Sequence, residues 1–295
     1  MGMTFLMKAI VLLICFAVVL AVYLSFFAYK APAVQPSRAA EMTDTVRISY
    51  IGYFENGLVF DTSIKSVGDD NASWPKALSF QTRSSYSDFS FVVGKTDCTS
   101  GQTDCAILGM SDAVLRQPEG ASITHTITPA KGYGNEDPTL VTTRTIVEQL
   151  PVKEVMNYTV FQRRYGFPPV DSQPVRDPFW GWMSLVHVSG GLVTVQNSPD
   201  ISGSYPIYVN KTKGGTWSVT VESIDDGMNN GTGAITIMNR FLFLGGNKLM
   251  VSDATLGDFF VTDNGDGTFT VDKNKEVVGV NLVFRITILQ ITKAG

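Results

Sequence analysis

Residues 46–63 read VRISYIGYFENGLVFDTS, and this stretch decides the fold. Residues 46–50 alternate apolar and polar side chains, with the period of two that is typical of a half-buried strand. The turn-forming ENG at 55–57 separates this run from a second apolar one, LVF at 58–60. The polar residues at 61–63 favour local hydrogen bonds over strand pairing. The stretch therefore predicts a β-hairpin.

Four more motifs follow the hairpin along the chain. They are FSFVVG at 89–94, GM at 109–110, ITPAKGYG at 127–134 and LVFRITILQI at 282–291. In this order, and with the hairpin before them, they resemble the motifs of FKBP-type peptidyl-prolyl isomerases. The resemblance implies an α+β fold in which an antiparallel sheet wraps around one short helix. It covers residues 44–150 and, as the last strand, residues 277–293.

One short helix is predicted at 103–110, where the sequence reads TDCAILGM with Gly109 near its end. The family places an aromatic residue at the start of this helix, as the floor of its proline pocket. In this chain that position would fall at Gln102 or Thr103, and neither side chain is apolar. The connection after Met110 is also longer than the family's usual one. Both departures point to reduced catalytic power.

A long insertion interrupts the resemblance in the flap that follows Tyr133. A minimal member of the family has only a short flap here, whereas this chain has residues 151–276. The SlyD-like subgroup of the family also carries an insert in the flap, a small β-rich chaperone domain. Its return to the last strand is similar to residues 271–284 of this chain. The resemblance therefore implies a large all-β inserted domain, much longer than that of the subgroup.

The insertion contains three weakly similar units. The first spans residues 182–197, the second 217–239, and a degenerate third 259–274. Each reads as two alternating strands around a turn of Gly, Asp or Asn residues. Repeated hairpins that share one core predict an extended β-sandwich or a barrel-like domain. DNGDGT at 263–268 resembles a calcium loop but lacks its closing Glu, so we interpret it as a hairpin turn.

The N-terminus carries an apolar run of twenty uncharged residues, 9–28, flanked by lysines. At about 1.5 Å per residue such a run spans a hydrocarbon core of about 30 Å, and it exceeds the roughly 7–15 apolar residues of a cleaved signal peptide. We therefore predict a transmembrane signal anchor in residues 1–30 and a Pro/Ala-rich linker at 31–43. The alternative is a signal peptide that is cleaved near residues 39–40.

Four sequons favour an extracytoplasmic location for the rest of the chain. They begin at Asn71, Asn157, Asn210 and Asn230, and each matches the N-glycosylation pattern. Together with the anchor, they predict a single-pass glycoprotein of the cell membrane whose C-terminal domains are extracytoplasmic. Sequons and a large insert also suggest an archaeal surface protein.

Two cysteines, Cys98 and Cys105, lie outside the apolar run. Their spacing excludes a CxxC redox motif, and two thiols alone cannot complete a tetrahedral zinc site. Outside the cytosol a structural disulfide between them is the preferred interpretation. Two free thiols are the alternative.

Composition argues against several classes of function. The 295-residue chain has a net charge of −4 and no stripe of Lys and Arg, which argues against nucleic-acid binding. Only two histidines, His125 and His187, are present, so His-rich metal sites and a Ser-His-Asp triad are poor interpretations. Prolyl isomerisation needs neither metal nor cofactor, and we predict none.

The resemblance implies two groups of site residues. They are, as catalytic residues, Tyr50, Phe60, Asp61 and Tyr133 and, as substrate-binding residues, Phe89, Phe91, Phe284 and Ile286. In this assignment Phe60, Phe89 and Phe284 grip the proline ring, and Tyr133 offers its hydroxyl to the substrate carbonyl. Asp61 orients Tyr50 or polarises the twisted amide. The alternative for each aromatic residue is an ordinary core position.

The resulting prediction is a membrane-anchored peptidyl-prolyl cis-trans isomerase and folding helper that acts on extracytoplasmic proteins. Its partners would be proline-containing unfolded or newly translocated polypeptides, together with the membrane. One alternative is a non-catalytic binding or accessory subunit of a membrane or envelope complex, built on an FKBP-like scaffold. Another is a surface adhesion or envelope component in which the β repeats are the functional part.

Overall fold

The computed structural model describes residue 10 and residues 16–23, 38–96 and 102–295. The predicted anchor and residues 31–37 of the predicted linker lie largely outside the described residues and stay predictions, whereas the linker's residues 38–43 pack into the first unit, where Ala40 is fully buried. No helix within the described part of the chain is long and apolar enough to cross a membrane. From residue 38 onward the chain forms a first unit, residues 38–140 and 273–295, and an insert, residues 141–272.

An antiparallel sheet forms the first unit, with a short helix, α1 (Lys65–Asp69), after its second strand. Its strands are β1 (Thr45–Phe54), β2 (Val59–Thr62), β3 (Phe89–Val92), β4 (Ser122–Ile127) and β18 (Leu282–Thr292). β1 pairs along its whole length with β18, while β2 and β3 pair with the other edge of β1 and β4 pairs with β18. The last strand of the chain thus lies beside the first and closes the unit around the insertion.

The hairpin predicted at 46–63 is confirmed. β1 and β2 pair with Ile51 opposite Thr62 and Gly52 opposite Asp61. Gly52 is needed here because a Cβ atom would lie only 2.7 Å from the Phe60 ring and 3.0 Å from the Phe284 ring. The hairpin and the last strand therefore bring two aromatic rings together over a residue that has no side chain.

The helix that packs against this sheet, α2 (Leu108–Val114), begins later than the sequence predicts. The prediction of a helix at 103–110 is wrong because the first part of that range is extended. Main-chain hydrogen bonds at Asp104 and Ala106 join it to the end of β3 and the residues that follow. Gly109 therefore lies in the first turn of the helix rather than at its end.

The core of the first unit lies between the sheet and α2. Burial of each large apolar side chain stabilises the fold by about 1.5–3 kcal/mol. Alternate residues of β1 and β18 supply most of this core, as period-two patterning requires. Its most buried members include Val46, Ile48, Phe91, Val114, Ile127, Phe284, Ile286 and Ile288.

Between residues 141 and 272, a range described in full, the insert forms three antiparallel sheets and one helix, α3 (Tyr158–Tyr165). The first sheet holds, in order, β7 (Lys153–Asn157), β10 (Leu192–Asn197), β9 (Met183–Ser189) and β8 (Pro174–Arg176). The second holds β6 (Val147–Leu150), β14 (Ala234–Phe243), β13 (Gly215–Asp225) and β11 (Ser204–Ile207). The third holds β5 (Val141–Thr145), β17 (Thr268–Asp272), β16 (Gly257–Asp263), β15 (Lys248–Asp253) and β12 (Thr212–Lys213).

The three sheets share one plan. The outgoing segment 141–157 supplies one strand to each sheet, and that strand pairs with the second strand of a hairpin from the predicted repeats. The first hairpin strand and one preceding strand complete the first two sheets, and the third sheet has two preceding strands, β12 and β15. Because β5 and β6 pair only with insert strands among the described sheets, the insert begins at residue 141. The predicted start at residue 151 would leave these two strands without their partners.

A buried hydrogen bond recurs in the first two repeats. The indole Nε1 of Trp182 donates to the Oδ1 of Asn197 at 3.1 Å, and that of Trp217 donates to Asn239 at 2.9 Å. Each asparagine also donates its Nδ2 at 3.1 Å to a main-chain carbonyl of the outgoing segment. The repeats therefore fold alike down to single hydrogen bonds, and these bonds fasten each hairpin to the outgoing strand.

The third repeat keeps the asparagine and loses the indole. Asn274 donates its Nδ2 to the carbonyl of Asp137 at 3.0 Å, as its two counterparts do with their own segments. Phe259 stands where the other repeats have tryptophan and has no N–H to donate. The Oδ1 of Asn274 accepts from the Asp137 N–H at 3.0 Å instead. This repeat is degenerate in the way that the sequence predicts.

The insert and the chain ends lie at opposite ends of the first unit. The Nζ atom of Lys293, just after β18, is 2.9 Å from the carboxylate of Asp44, just before β1. At the other end of β18, the insert leaves after Leu140 and returns at Lys273, whose N–H donates to the Leu140 carbonyl at 3.1 Å. The length of the sheet therefore separates the two attachments.

Candidate active site

A cavity of about 610 Å³ lies between the sheet, the start of α2 and the segment before Tyr133. We call it the pocket. Five of the eight predicted site residues line it: Tyr50, Asp61, Phe89, Tyr133 and Phe284. The others on its wall are Thr96, Cys105, Ala106, Ile107, Leu108, Met110, Ala130, Lys131 and Gly132. The pocket is thus mostly apolar with a few polar groups, as ligand sites usually are.

Tyr50 and Asp61 form the polar side of the pocket. Tyr50 lies on β1 and Asp61 on the adjacent β2, and the Tyr50 hydroxyl donates to Asp61 Oδ2 at 2.7 Å. Burial, and then the negative charge of Asp61, raises the pKa of Tyr50 well above its usual value. Tyr50 therefore stays a neutral hydroxyl throughout the physiological range.

Arg83 fixes the carboxylate of Asp61 from the opposite side. Its guanidinium pairs with Asp61 Oδ1, which also accepts from the Thr62 N–H at 2.8 Å. Both oxygens of Asp61 are therefore engaged, and the carboxylate is held in one orientation. Of the two roles predicted for Asp61, this geometry favours the orientation of Tyr50. Sequence reasoning missed Arg83 because it lies in a polar loop without periodicity.

Aromatic rings form the wall beside this network. The ring of Tyr50 is 6.0 Å from that of Phe284 and 6.3 Å from that of Phe89, centroid to centroid. Phe60 lies behind Phe284, edge to face at 5.5 Å, and only 8% of it is exposed. It supports the wall and does not line the pocket.

Two residues predicted to bind substrate are core residues. Phe91 and Ile286 are both fully buried, and neither lines the pocket. Phe91 stacks on Phe89 at 5.3 Å, so it positions a ring that does face the pocket. The predicted binding role of these two residues is therefore wrong, because neither side chain has surface left for a ligand.

The floor of the pocket comes from α2 and not from the predicted positions. Gln102 and Thr103 are exposed and lie outside the pocket. Met110, which is 5% exposed, and Ile107 line it instead. Gly109 lets the helix approach this closely, since a Cβ atom there would lie 2.3 Å from Ile127. A flexible, polarisable methionine thus lines the pocket, and neither position expected to carry the aromatic floor does so.

Tyr133 faces the pocket from the flap. It follows a 3-10 turn, Pro129–Lys131, and 47% of its surface is exposed. Burial of its hydroxyl, and then the charge of Asp61, raises the pKa of Tyr133. Lys131 Nζ lies 2.9 Å from the Asp112 carboxylate on α2, which ties the flap to the helix. Tyr133 is therefore a neutral donor at the mouth of the pocket.

Cys105 lines the pocket, is buried and is disulfide-bonded. Its predicted partner, Cys98, lies outside the described residues. The pairing of these two cysteines stays a prediction, and it would fasten one wall of the pocket.

One comparison with known proteins matches the part of the chain that carries most of this site. Residues 36–160 match the family model of the FKBP-type peptidyl-prolyl cis-trans isomerase. No curated protein matches the chain. The chain therefore carries an FKBP-type domain, and such a domain indicates peptidyl-prolyl cis-trans isomerase activity on proline-containing polypeptides. The last strand of the sheet, β18, lies beyond the matched residues.

Proposed function

We propose that this protein is a membrane-anchored prolyl isomerase and folding helper for extracytoplasmic proteins, of the SlyD-like kind and from an archaeal cell surface. The observation that carries the isomerase part is the pair of Tyr50 and Asp61, held by Arg83, on the wall of a mostly apolar pocket. The apolar run at 9–28 supports the anchor. A β-rich insert in the flap supports the subgroup.

The proposed mechanism needs only binding. Rotation about the X-Pro bond has a barrier of about 18–20 kcal/mol because it breaks amide resonance. An apolar pocket removes the water that stabilises the planar, polar amide. Tyr133 then donates to the substrate carbonyl, and Tyr50, oriented by Asp61, presents a second fixed dipole. These groups bind the twisted amide better than the planar one, which lowers the barrier.

The sequons support an extracytoplasmic location. The asparagines at all four positions, Asn71, Asn157, Asn210 and Asn230, are exposed. Glycans could therefore be attached at all four asparagines without disturbing the folded core. Protease added to intact cells should cleave the first unit and the insert if they are outside. Protection from protease in intact cells but not in lysed ones would contradict this location.

The enzymatic part is tested with the full chain in phosphatidylcholine nanodiscs. We expect it to accelerate cis-to-trans relaxation of a proline-containing tetrapeptide. Tyr133→Phe should lower kcat/KM roughly tenfold, because one donor to the twisted amide is lost. Tyr158→Phe is the matched control, since Tyr158 is similarly exposed, at 43%, and lies on α3 in the insert. Absence of acceleration by the folded protein, on this peptide and on a refolding protein, would contradict an isomerase.

A non-catalytic accessory subunit is the second candidate function. The observation that favours it is the position of the family's aromatic residue, where Gln102 and Thr103 are exposed and lie outside the pocket. Such a subunit would bind proline-containing segments without accelerating their isomerisation. Thr103→Trp separates the candidates, because an aromatic ring at the family's position should raise kcat/KM of a weak enzyme and leave a pure binding protein inactive.

A further inference from the structure

A small cavity lies in the insert, close to where the chain leaves the first unit and returns to it. We call it the stem cavity, and half of its wall comes from β5, β17 and the residue after β17, as Thr142, Arg144, Val271 and Lys273. Its volume is about 230 Å³, below the roughly 300–1,000 Å³ of sites that hold drug-sized ligands, so it suits a ligand with a single ring. The stem cavity and the pocket share no lining residue, so binding here would be independent of isomerisation.

Two cationic side chains flank the stem cavity from opposite sides. Thr142 on β5 lies opposite Val271 on β17, and Arg144 and Lys273 each follow two positions later on their own strand segment. Side chains two positions apart point to the same face of a sheet, and these strands run in opposite directions. Arg144 and Lys273 therefore lie on one face, on either side of the Thr142–Val271 pair. None of the eight residues described on the cavity wall is acidic.

The two cations differ in what they already bind. Arg144 donates from Nη2 to the carboxylate of Glu148 at 2.5 Å, and its guanidinium lies 5.5 Å from the centre of the Phe269 ring. A guanidinium has five N–H groups, so most of its donors remain for a ligand. The Nζ of Lys273 has no ion pair or hydrogen bond within the part of the chain that the structure describes. Lys273 can therefore pair with a ligand carboxylate without losing another partner.

Aromatic rings form the floor of the stem cavity. The ring of Tyr208 lies 5.6 Å from that of Trp217 and 5.4 Å from that of Phe259, centroid to centroid. Trp217 and Phe259 are almost fully buried, whereas Tyr208 stays partly exposed over them. The face of an aromatic ring carries partial negative charge, which attracts the C–H groups on one side of a sugar ring.

Tyr208 also has features that are typical of a ligand-binding residue. Its φ of +52° is rare for a bulky side chain, and such main-chain conformations cluster at ligand sites. Burial, and then the charge of Asp253, raises the pKa of Tyr208, so its hydroxyl stays a donor. Among the described residues, neither this hydroxyl nor that of Thr142 has a hydrogen-bond partner. The wall thus offers two hydroxyl groups to a ligand that carries hydroxyl groups of its own.

We propose that the stem cavity binds a hexuronate, an acidic sugar, either free or at the end of a glycan. Its carboxylate pairs with Lys273, and one C–H face of its ring packs on Tyr208. The hydroxyls of Tyr208 and Thr142, together with Arg144, bond to the hydroxyl groups of the sugar. A neutral hexose lacks the charge that Lys273 requires, and an aromatic acid such as benzoate leaves the hydroxyls of the wall without partners.

The charge is tested by titrating sodium glucuronate into the full chain in nanodiscs, at constant ionic strength, by isothermal calorimetry. We expect a Kd of about 1 mM, and values at least tenfold higher for glucose. Lys273→Gln should raise the Kd for glucuronate about tenfold, because the carboxylate loses its partner. Lys275→Gln is the matched control and should leave the Kd unchanged, since Lys275 is also exposed but lies outside the stem cavity. Equal Kd values in these two variants would overturn the proposal.

The sugar is tested separately from the charge by Tyr208→Phe, which removes the hydroxyl and keeps the packed ring. The Kd for glucuronate should rise about fivefold, because one hydrogen bond to the sugar is lost. Tyr158→Phe on α3 is the control and should leave it unchanged. Benzoate or sulfate that binds as tightly as glucuronate would overturn the proposal, because the cavity would then accept any anion. Methyl β-glucuronide distinguishes the two sources: binding as tight as that of glucuronate indicates the end of a glycan, and weaker binding indicates the free acid.

Discussion

The first unit and the insert both bury polar side chains, but they use them differently. In the insert, Trp217 and Asn239 are buried and satisfy each other and a main-chain carbonyl. In the first unit, Tyr50 and Asp61 are only partly buried and lie on a pocket wall. We call the buried pair of Trp217 and Asn239 the sealed network and the group of Tyr50, Asp61 and Arg83 the open network. The sealed network joins strands, whereas the open network presents a fixed hydroxyl and a charge to a ligand. Similar hydrogen-bonded polar groups can thus stabilise the fold or bind a ligand, depending on whether they are sealed in a core or border a pocket.

The largest expected effect is on the sealed network. Asn239→Ala leaves the Trp217 N–H without its partner in the core, and the Ile146 carbonyl keeps only the main-chain N–H of residue 239. Since a buried unsatisfied group costs about 1–3 kcal/mol and a lost hydrogen bond about 1 kcal/mol, the free energy of unfolding should fall by about 3 kcal/mol. Urea denaturation followed by tryptophan fluorescence measures this. Asn264→Ala, in the exposed turn between β16 and β17, is the control and should cost less than about 1 kcal/mol. A similar loss of unfolding free energy in Asn239→Ala and Asn264→Ala would show that the buried hydrogen bonds of Asn239 have no special role in stability.

The predicted disulfide should have the next largest effect, and it should affect both stability and catalytic activity. Cys105 lines the pocket, so breaking its bond should loosen the wall and lower stability. For a loop as short as 98–105 the chain-entropy model gives about 2 kcal/mol. Dithiothreitol and Cys105→Ser should therefore lower the melting temperature and kcat/KM alike. Mass spectrometry of the unreduced protein that finds Cys98 alkylated would contradict the pairing.

The open network should affect activity more than stability. Asp61→Ala frees Tyr50 and Arg83 from their common partner, so kcat/KM for the tetrapeptide should fall roughly tenfold. The free energy of unfolding should change by less than about 1 kcal/mol, because these groups are partly exposed. Asp69→Ala removes an exposed carboxylate that pairs with Lys65 and should change neither quantity. A stability loss as large as that of Asn239→Ala would show that the network is structural.

The smallest expected effect is on the pH profile. Burial, and then Asp61, raises the pKa values of Tyr50 and Tyr133 above the usual value of about 10. A raised pKa keeps each hydroxyl protonated to higher pH, so kcat/KM should stay constant from about pH 6 to about pH 10. The tetrapeptide assay across this range checks it. A decline centred near pH 9 would mean that an ionising group with an ordinary or lowered pKa controls the rate.

Local patterns were enough to predict the parts of the site that lie on paired strands. The turn and alternation at 46–63 predict the hairpin, and pairing then places Tyr50 and Asp61 side by side. Met110 was missed because the segment before α2 is held extended by long-range pairing, which no local propensity records. Arg83 was missed for a related reason, since only the tertiary fold brings its loop to Asp61.

The repeats of the insert were visible in the sequence, but the strands that join them were not. Trp182 and Asn197 are fifteen positions apart, as are Phe259 and Asn274, so their spacing carries a readable signal. The outgoing segment 141–157 has no such partner in the pattern, because its strands pair with three separate hairpins far along the chain. Strand pairing between residues 35 to 131 positions apart is set by the whole fold.

The chain ends and the insert lie at opposite ends of the first unit, so the two ends of the molecule differ in what they carry. β1 has ten residues at a rise of about 3.3 Å each, so the strand is about 30 Å long. If residues 9–28 lie in a membrane, as we propose, the membrane segment joins the first unit at the end opposite to the insert. A substrate polypeptide that emerges from the membrane would then reach the pocket first. A substrate polypeptide that arrives from the surroundings would reach the insert first. The order of encounter would thus distinguish nascent clients from released ones.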